Sequence, residues 1–491
     1  MSEKELRRKV FLPVFQLTEL CEPNDPRAIK RAIKQSIGRE ALSYHYRFVI
    51  EEKSGTGFNY NRFPIVLDRA GAPWQLGTLF ILSKLEGTSQ PNMSTFQSLA
   101  DDLGAFKEWL DQHDRPDELL YNFPQLKLRR TTYRYRGFVK QQIDAQELSA
   151  STAKRRMSTV IAFYEWLVGN GYFTPEHPLW EEKQYQLFFT NSKGFSISKP
   201  IRTTDISIRT AKAEDPWAGT IQDGGKLRPL SEKEQQWVLE AADAKGNTEA
   251  YLLQLFMLAT GARLQTACTL RVRHFTQERP AFSKAFGGGG EVFKLKAGPG
   301  TGIDTKNDKQ GVLHIPRALY EALHTYALSE RARRRRERTP GGDNPEQYLF
   351  LTQQGSPYYQ SKADRLRFDP DLSIRHQKTG QPLRQFLKEQ AIPYIRERHA
   401  PAFHYRIHDL RASFGMNMVE TQTALVQKGV VTLHKARMNV KDLMWHESLT
   451  TTDLYLNYRS QMDAMYAAIN NYGEQLQTWI ECAMKGFGGD E

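Results

Sequence analysis

The segment Glu249–Ala262, EAYLLQLFMLATGA, is apolar on nearly every side of a helical projection. A helix without a polar face has to be surrounded by other elements of its own domain, so it marks the centre of a sizeable helical core. The run Thr260-Gly261-Ala262-Arg263 ends it, and a glycine turn there can aim Arg263 inward. Just upstream, Leu227-Arg228-Pro229-Leu230-Ser231 opens another helix, with Ser231 at the N-cap and Glu234 at the capping-box position.

The rest of the chain predicts a mainly α protein with a small β-hairpin or sheet. FQSLADDLGAFKEWLDQH carries Phe96, Leu99, Leu103, Phe106, Trp109 and Leu110 at helical spacing. A second amphipathic helix follows the N-cap oxygens of Ser149 to Thr152, buries Met157, Val160, Ile161, Tyr164 and Leu167, and ends at Gly169-Asn170-Gly171. Its first turn holds Lys154, Arg155 and Arg156, which read either as a solvated face or as a contact to phosphates. FPIVLDRAGAPW, at Phe63–Trp74, has strand-then-turn chemistry. After a Gly-rich run at Gly287 to Gly290, EVFKLKA and GVLHIP are short strands flanking GPGTGIDTKNDKQ. A long helix then ends in Arg331-Ala332-Arg333-Arg334-Arg335-Arg336. That run reads as a solvated helix terminus, a DNA-backbone contact or a targeting signal. At ~150 residues per domain, 491 residues imply about three domains. Composition divides the chain into an N-terminal segment 1–88, a helical domain 89–180, a linker 181–227, a second domain 228–470 and a tail 471–491.

Sixty-eight Lys and Arg against 56 Asp and Glu leave a net charge of +12, which suits a polyanionic partner without requiring one. Three scattered cysteines, Cys21, Cys268 and Cys482, make neither a disulfide framework nor a Cys-rich metal site, and point to a reducing compartment. No stretch approaches the ~18 apolar residues of a membrane span. The expected location is cytoplasmic, nucleoid-associated if the chain binds DNA.

The chemistry concentrates near the C-terminus, in HDLRASF (His408 to Phe414) and WHESLTTTDLY (Trp445 to Tyr455). His408 and Arg411 lie three apart, on one face of a helix about 60° from each other. They pair an anion clamp with a proton-transfer group. His446 and Tyr455 follow, nine positions apart (455 − 446). Cleaving a phosphodiester needs an in-line nucleophile, cations on the non-bridging oxygens, and proton transfer at both ends. Tyrosine as nucleophile stores the bond energy in a covalent ester. Arg263, and Lys306 between the two strands, complete a set that needs neither metal nor cofactor. His404 and His408 have i, i+4 spacing for zinc, but no third ligand accompanies them.

These boxes resemble those of the tyrosine recombinases, the phage-integrase family. ATGARLQTACTLRV is similar to the first arginine box, DTKNDKQGVLHIP to the lysine hairpin, HDLRASF to the His-x-x-Arg box and WHESLTTTDLY to the nucleophile box. They occur in family order over about residues 228 to 470, and residues 90 to 180 resemble the family's core-binding domain. The resemblance implies that Tyr455 attacks the scissile phosphate to give a 3′-phosphotyrosine. It implies that Arg263 and Arg411 hold the non-bridging oxygens and that His408 assists proton movement. Lys306 would protonate the leaving 5′-oxygen, and His446 would donate to the phosphate. It further implies a clamp around double-stranded DNA, a homotetramer on paired sites, accessory proteins of the same mobile element, and Lys154, Arg155 and Arg156 on DNA. Two departures stand out. Thr266 replaces a usual acidic residue three after the first arginine, and Met444-Trp445 replaces a usual Leu-Gly before the histidine. Two other readings of the same residues are a type IB topoisomerase and a catalytically silent DNA-binding subunit. The tail after Tyr455, with Met462, Met465, Ile469, Leu476 and Ile480, could dock on a neighbouring subunit or pack on its own domain.

Overall fold

A computed structural model describes residues 8–32, 43–49, 59–86, 88, 91–190, 196–209, 219–284, 290–366, 378–461, 476–477 and 480. They belong to two compact units, Met1–Ala213 with Leu366–Arg375, and Glu214–Arg365 with His376–Glu491. Each is mainly helical with small antiparallel sheets. No helix among the described residues is long and apolar enough to cross a membrane.

The first unit opens with five strands, β1 (Lys9–Gln16), β2 (Thr18–Leu20), β3 (Ile29–Ala32), β4 (Ser43–Phe48) and β5 (Asn59–Val66). β1 pairs with β5, and β4 lies between β2 and β3. Asp68 turns the chain after β5 by accepting the Ala70 and Ala72 amides at 2.9 Å. Five helices follow: α1 (Gln75–Glu86), α2 (Met93–Asp111), α3 (Pro116–Leu120), α4 (Thr131–Asp144) and α5 (Ala150–Gly169). Ser149 caps α5 by accepting the Thr152 amide. The α5 face that enters the core holds Met157, Val160, Phe163, Tyr164 and Leu167, while Ile161 is half-buried. Phe63 and Val66 of β5, Trp74, and Phe80 of α1 share that core with Phe106 and Phe163. Residues 59–86 therefore belong to the helical unit rather than to a separate segment ending at 88, because their apolar face has no other place to bury.

The stretch expected to be a linker, 181–227, is structured at both ends. β6 (Glu182–Thr190) and β7 (Ser196–Thr204) pair antiparallel through nine residues each, and Ile206 and Ile208 enter the first unit's core. Its other end is a small hairpin of the second unit, β8 (Ile221–Gln222) and β9 (Lys226–Leu227). The polar composition concealed these elements, since a two-stranded ribbon needs little apolar content.

The second unit continues with α6 (Glu232–Ala244), α7 (Thr248–Thr260), α8 (Leu264–Cys268), β10 (Phe282–Lys284), β11 (Glu291–Ala297) and β12 (Gly311–Pro316). Ser231 and Glu234 form the capping box of α6. β11 lies between β10 and β12. Then come α9 (Arg317–Leu328), α10 (Glu330–Glu337), α11 (Lys362–Leu366), α12 (Gln381–Phe386), α13 (Ile392–Arg398), α14 (Asp409–Gln427) and α15 (Leu433–Leu443). A last described helix, α16, covers 449–461. The apolar helix α7 is central, with Leu253, Phe256 and Met257 fully buried. Two of its polar residues accept hydrogen bonds from buried tyrosines. Gln254 accepts the Tyr405 hydroxyl at 2.5 Å, and Glu249 accepts the Tyr326 hydroxyl at 2.9 Å. In the tail, Leu476 and Ile480 are exposed. Met462, Met465 and Ile469 lie outside the described residues.

Glu249 also explains part of the arginine run. Arg331 binds it through Nε and Nη2 at 2.8 and 2.9 Å, and Arg335 at 2.9 Å. Arg336 pairs with Asp343, while the more exposed Arg333 and Arg334 pair with Glu330. Burial alone would raise the Glu249 carboxyl, but the bond from Arg331 and the charge of Arg335 hold it below the ordinary value. A carboxyl depressed in the folded state adds stability that is present above the unfolded value of ~4.3 and lost as pH falls through the lower folded value. Glu249→Ala should cost about 3–5 kcal/mol at neutral pH, because it leaves guanidinium groups without their anion. In urea unfolding of both proteins, that gap should close as the pH drops below 4.

Candidate active site

The site is assembled from three turns and two helices of the second unit. α7 ends at Gly261 in the left-handed region (φ 67°), where a β-carbon would stand 2.4 Å from the Phe414 ring. This tight turn delivers Arg263 at the head of α8, with Nη2 3.8 Å from the Asp223 carboxylate. Arg411 lies in the first turn of α14 and is 3 % exposed. Its Nη1 and Nη2 donate to the Gly261 and Met444 carbonyls, both at 2.6 Å, so the guanidinium plane is fixed. Its Nε then points at Asp223 Oδ2, 3.1 Å away. His408 is the residue immediately before α14, and the Arg411 amide donates to its carbonyl. Burial, then the charges of Arg263 and Arg411, push the His408 imidazole below its ordinary value, so it is neutral at pH 7.

His446 follows the C-terminus of α15. The Trp445 amide bonds to the Asp442 carbonyl and the His446 amide to the Lys441 carbonyl, the paired bonds of a Schellman cap. The residue after such a cap is left-handed and usually glycine; here it is Trp445 at φ 54°. That conformation costs about 1–2 kcal/mol for a residue with a side chain. The compensation is visible. The indole lies against Gly311, where a β-carbon would come within 2.4 Å of the ring, and its Nε1 donates to the Val312 carbonyl. The Leu-Gly to Met-Trp departure is thus matched by a glycine on β12. The His446 ring bonds Thr452 Oγ1 at 3.0 Å through Nδ1 and faces Asp223 Oδ2 at 3.4 Å through Nε2. A carboxylate can only accept, so Nε2 carries the proton and Nδ1 accepts from Thr452. Burial holds this imidazole below its ordinary value despite the neighbouring Asp223.

Tyr455 lies on α16, fully buried, with its ring stacked on His446 at 5.7 Å between centroids. Its hydroxyl donates to Asp223 Oδ2 at 3.1 Å. Burial, followed by the Asp223 charge, pushes its pKa far above that of an ordinary tyrosine, so the hydroxyl holds its proton. The room for its ring comes from Gly415, one turn beyond Arg411, where a β-carbon would lie 2.4 Å from Cε1. Tyr458, one turn later, bonds the Gly219 carbonyl instead.

Lys306 stands exposed in the turn between β11 and β12, with Nζ 3.4 Å from where a β-carbon of Gly224 would be. Of the competing lysines, Lys309 donates to the Trp445 carbonyl, and Lys294 and Lys296 are exposed on β11. The structure therefore brings Arg263, His408, Arg411, His446 and Tyr455 together, with Lys306 at the edge. Lys154, Arg155 and Arg156 belong to the other unit, where Arg155 pairs with Asp102 at 2.9 Å and Lys154 is exposed. Thr266 is buried, and the carboxylate near Arg263 comes from Asp223.

Asp223, Gly415, Gly311 and Thr452 escaped the sequence reading. The signal for Asp223 was the turn pair in Ile-Gln-Asp-Gly-Gly-Lys-Leu, residues 221–227, inside a stretch read as a tether. Burial would raise the Asp223 carboxyl, but the His446 bond and the charges of Arg411, His446 and Arg263 hold it well below the carboxylate range. The arrangement is a buried seat for one small anion, with two guanidiniums and an imidazole around it and a tyrosine oxygen in contact. Among the described residues, no group of three or more His, Cys, Asp or Glu could hold a metal ion.

Two comparisons with known proteins, by family profile and by curated sequence, find no match. Among solved structures, the Tn1549 transposon integrase in complex with a circular intermediate DNA is similar at 14 % identity. That match covers 79 % of this chain and 99 % of that one, with a TM-score of 0.41. A lambda integrase dimer bound to a COC′ core site matches at 13 % identity over 77 % of this chain and 93 % of that one, TM-score 0.40. A lambda integrase tetramer bound to a Holliday junction matches at 13 %, over 84 % and 91 %, TM-score 0.34.

The glycine spaces give a test of the seat itself. Gly415→Ala should destabilise the protein by about 1–3 kcal/mol in chemical denaturation, because the methyl group meets the Tyr455 ring. Gly137→Ala, in α4 with open space around it, should be neutral or stabilising by up to about 1 kcal/mol.

Proposed function

We propose that this chain is a tyrosine recombinase, a site-specific enzyme that cleaves and rejoins DNA strands through a 3′-phosphotyrosine, in the service of a mobile element. The observation that carries the reading is the meeting of a buried tyrosine hydroxyl, two arginines and a histidine at one anion position. A phosphodiester carries the single negative charge that this position accepts. Seated there, its phosphorus lies within reach of Tyr455 Oη for in-line attack.

In the reaction, Tyr455 Oη bonds to phosphorus and the bond from phosphorus to the 5′-oxygen breaks. Arg263 and Arg411 neutralise the non-bridging oxygens as charge builds on them, and His446 Nε2 donates to one of them. Neutral His408 takes up the tyrosine proton. Lys306, on a mobile-length side chain beside the seat, protonates the departing 5′-oxygen. The reverse sequence, with a 5′-hydroxyl from another strand, rejoins the DNA. Arg411 cannot rotate away from its two backbone carbonyls, so its contribution is preorganised rather than recruited. Double-stranded DNA is the partner, and strand exchange requires paired sites and therefore several copies of the chain, four for two sites. Lys154, Arg155 and Arg156 add backbone contacts from the helical unit.

The test is a suicide substrate: a nicked duplex from the DNA flanking the gene, which traps the covalent intermediate on a denaturing gel. Wild type should give a covalent adduct. Tyr455→Phe should give none while retaining DNA binding, and Arg411→Ala should slow adduct formation by about 10²–10³. Wild-type activity that survives in Tyr455→Phe contradicts the assignment. Binding should also weaken steeply with salt, and a nearly salt-independent complex would argue against phosphate contacts as its basis.

A further inference from the structure

The seat is occupied by the protein's own Asp223, and this has a consequence for how the site is turned on. We infer that the β8–β9 hairpin is an internal substrate mimic: its Asp223 carboxylate fills the scissile-phosphate position and must leave before DNA can be cut. This rests on the strand-transfer reading and names its regulation. The carboxylate touches Arg411 Nε, His446 Nε2 and the Tyr455 hydroxyl through Oδ2, and faces Arg263 through Oδ1. Those are the groups that a phosphate must contact, and one site cannot hold two anions in contact. An acidic residue that merely oriented the arginines would approach them from behind and would not receive the nucleophile's own hydrogen bond.

The hairpin is built to present this group and to let go of it. Gly224 and Gly225 adopt φ of 70° and 157°, and the Asp223 amide donates to the Gly225 carbonyl, so the carboxylate stands at a tight tip. Gly224 brings the same tip against Lys306 Nζ. Two ladder pairs, Ile221 with Leu227 and Gln222 with Lys226, hold it together. Ile221 and Leu227 anchor it in the small apolar cluster that contains Tyr455, Phe414 and Met444. So short an element can be displaced by a duplex that supplies the competing anion together with many further backbone contacts. While the carboxylate is in place it accepts the tyrosine proton in a hydrogen bond and keeps other anions out. The DNA-free protein is thereby silent towards stray phosphates and water.

The experiment uses the full chain as wild type, Asp223→Asn and Asp223→Ala, titrated with inorganic phosphate and followed by calorimetry and thermal unfolding. Both variants should bind phosphate at least ten-fold more tightly than wild type, and Arg411→Ala on top of Asp223→Ala should abolish the gain. Asn keeps the shape of Asp, so a folding defect in the Ala variant does not remove the comparison. On the nicked duplex, Asp223→Asn should form adduct faster than wild type. In the unaltered protein, amide exchange over residues 219–227 should rise when the duplex binds. Equal phosphate affinity in wild type and Asp223→Asn overturns the mimic, as does loss of adduct in Asp223→Asn, which would make Asp223 a positioning residue. Unchanged exchange on duplex binding overturns it as well. A phosphate gain without any adduct in any variant would support the mimic while refuting strand transfer. An adduct in wild type without a phosphate gain would do the reverse.

Discussion

Two guanidinium groups brought together inside a protein repel each other and lose hydration, so they persist only around an anion. In this chain that anion is Asp223, and the candidate active site is organised by the requirement. Arg411 is pinned by the Gly261 and Met444 carbonyls. Arg263 arrives through the left-handed turn at Gly261, and His446 through the cap of α15. Each device positions a cation or donor that would be unfavourable without a negative charge at the centre. On the proposed reading the DNA substrate brings that charge, and a resting state without DNA needs a stand-in.

The surrounding scaffold is shaped by the same demand for close approach. Gly415 admits the Tyr455 ring and the Met444 sulfur, and Gly311 admits the Trp445 indole. Trp445 in turn places His446, at the cost of a left-handed backbone that a glycine would adopt without strain. Lys309 donates to the Trp445 carbonyl, which ties the β11–β12 turn to the same cap. Tyr455, His446 and the lysine turn are therefore mechanically connected through neighbouring contacts, although they come from distant parts of the chain.

Much of this was legible in the residues. The all-round apolar character of Glu249–Ala262 located the core, and the capping pattern at Ser231 and Glu234 located the start of α6. Arg263, His408, Arg411 and His446 sit at turns or helix starts that their own neighbours dictate, and Tyr455 joins them from the middle of α16. What stayed hidden depends on long-range contacts. Asp223 has no local mark of function beyond a turn signal, and its role exists only because residues 263, 411, 446 and 455 come to it. Gly311 and Gly415 are legible as small residues but not as spaces for a particular ring. The arginine run was open to several readings until Glu249, 82 positions before Arg331, was seen beneath it. The expected break at residue 88 failed for a related reason: an apolar strand face in a short N-terminal segment borrows the core of the next domain.

The central claim is that Tyr455, and no other tyrosine, forms the bond to DNA. The direct measurement is to trap the covalent complex on a nicked duplex, digest protein and DNA, and locate the nucleotide by mass spectrometry. The account predicts a single modified peptide, with the 3′-phosphate esterified to Tyr455. A nucleotide on Tyr458 or on any other residue, or a linkage through the 5′-phosphate, would contradict it.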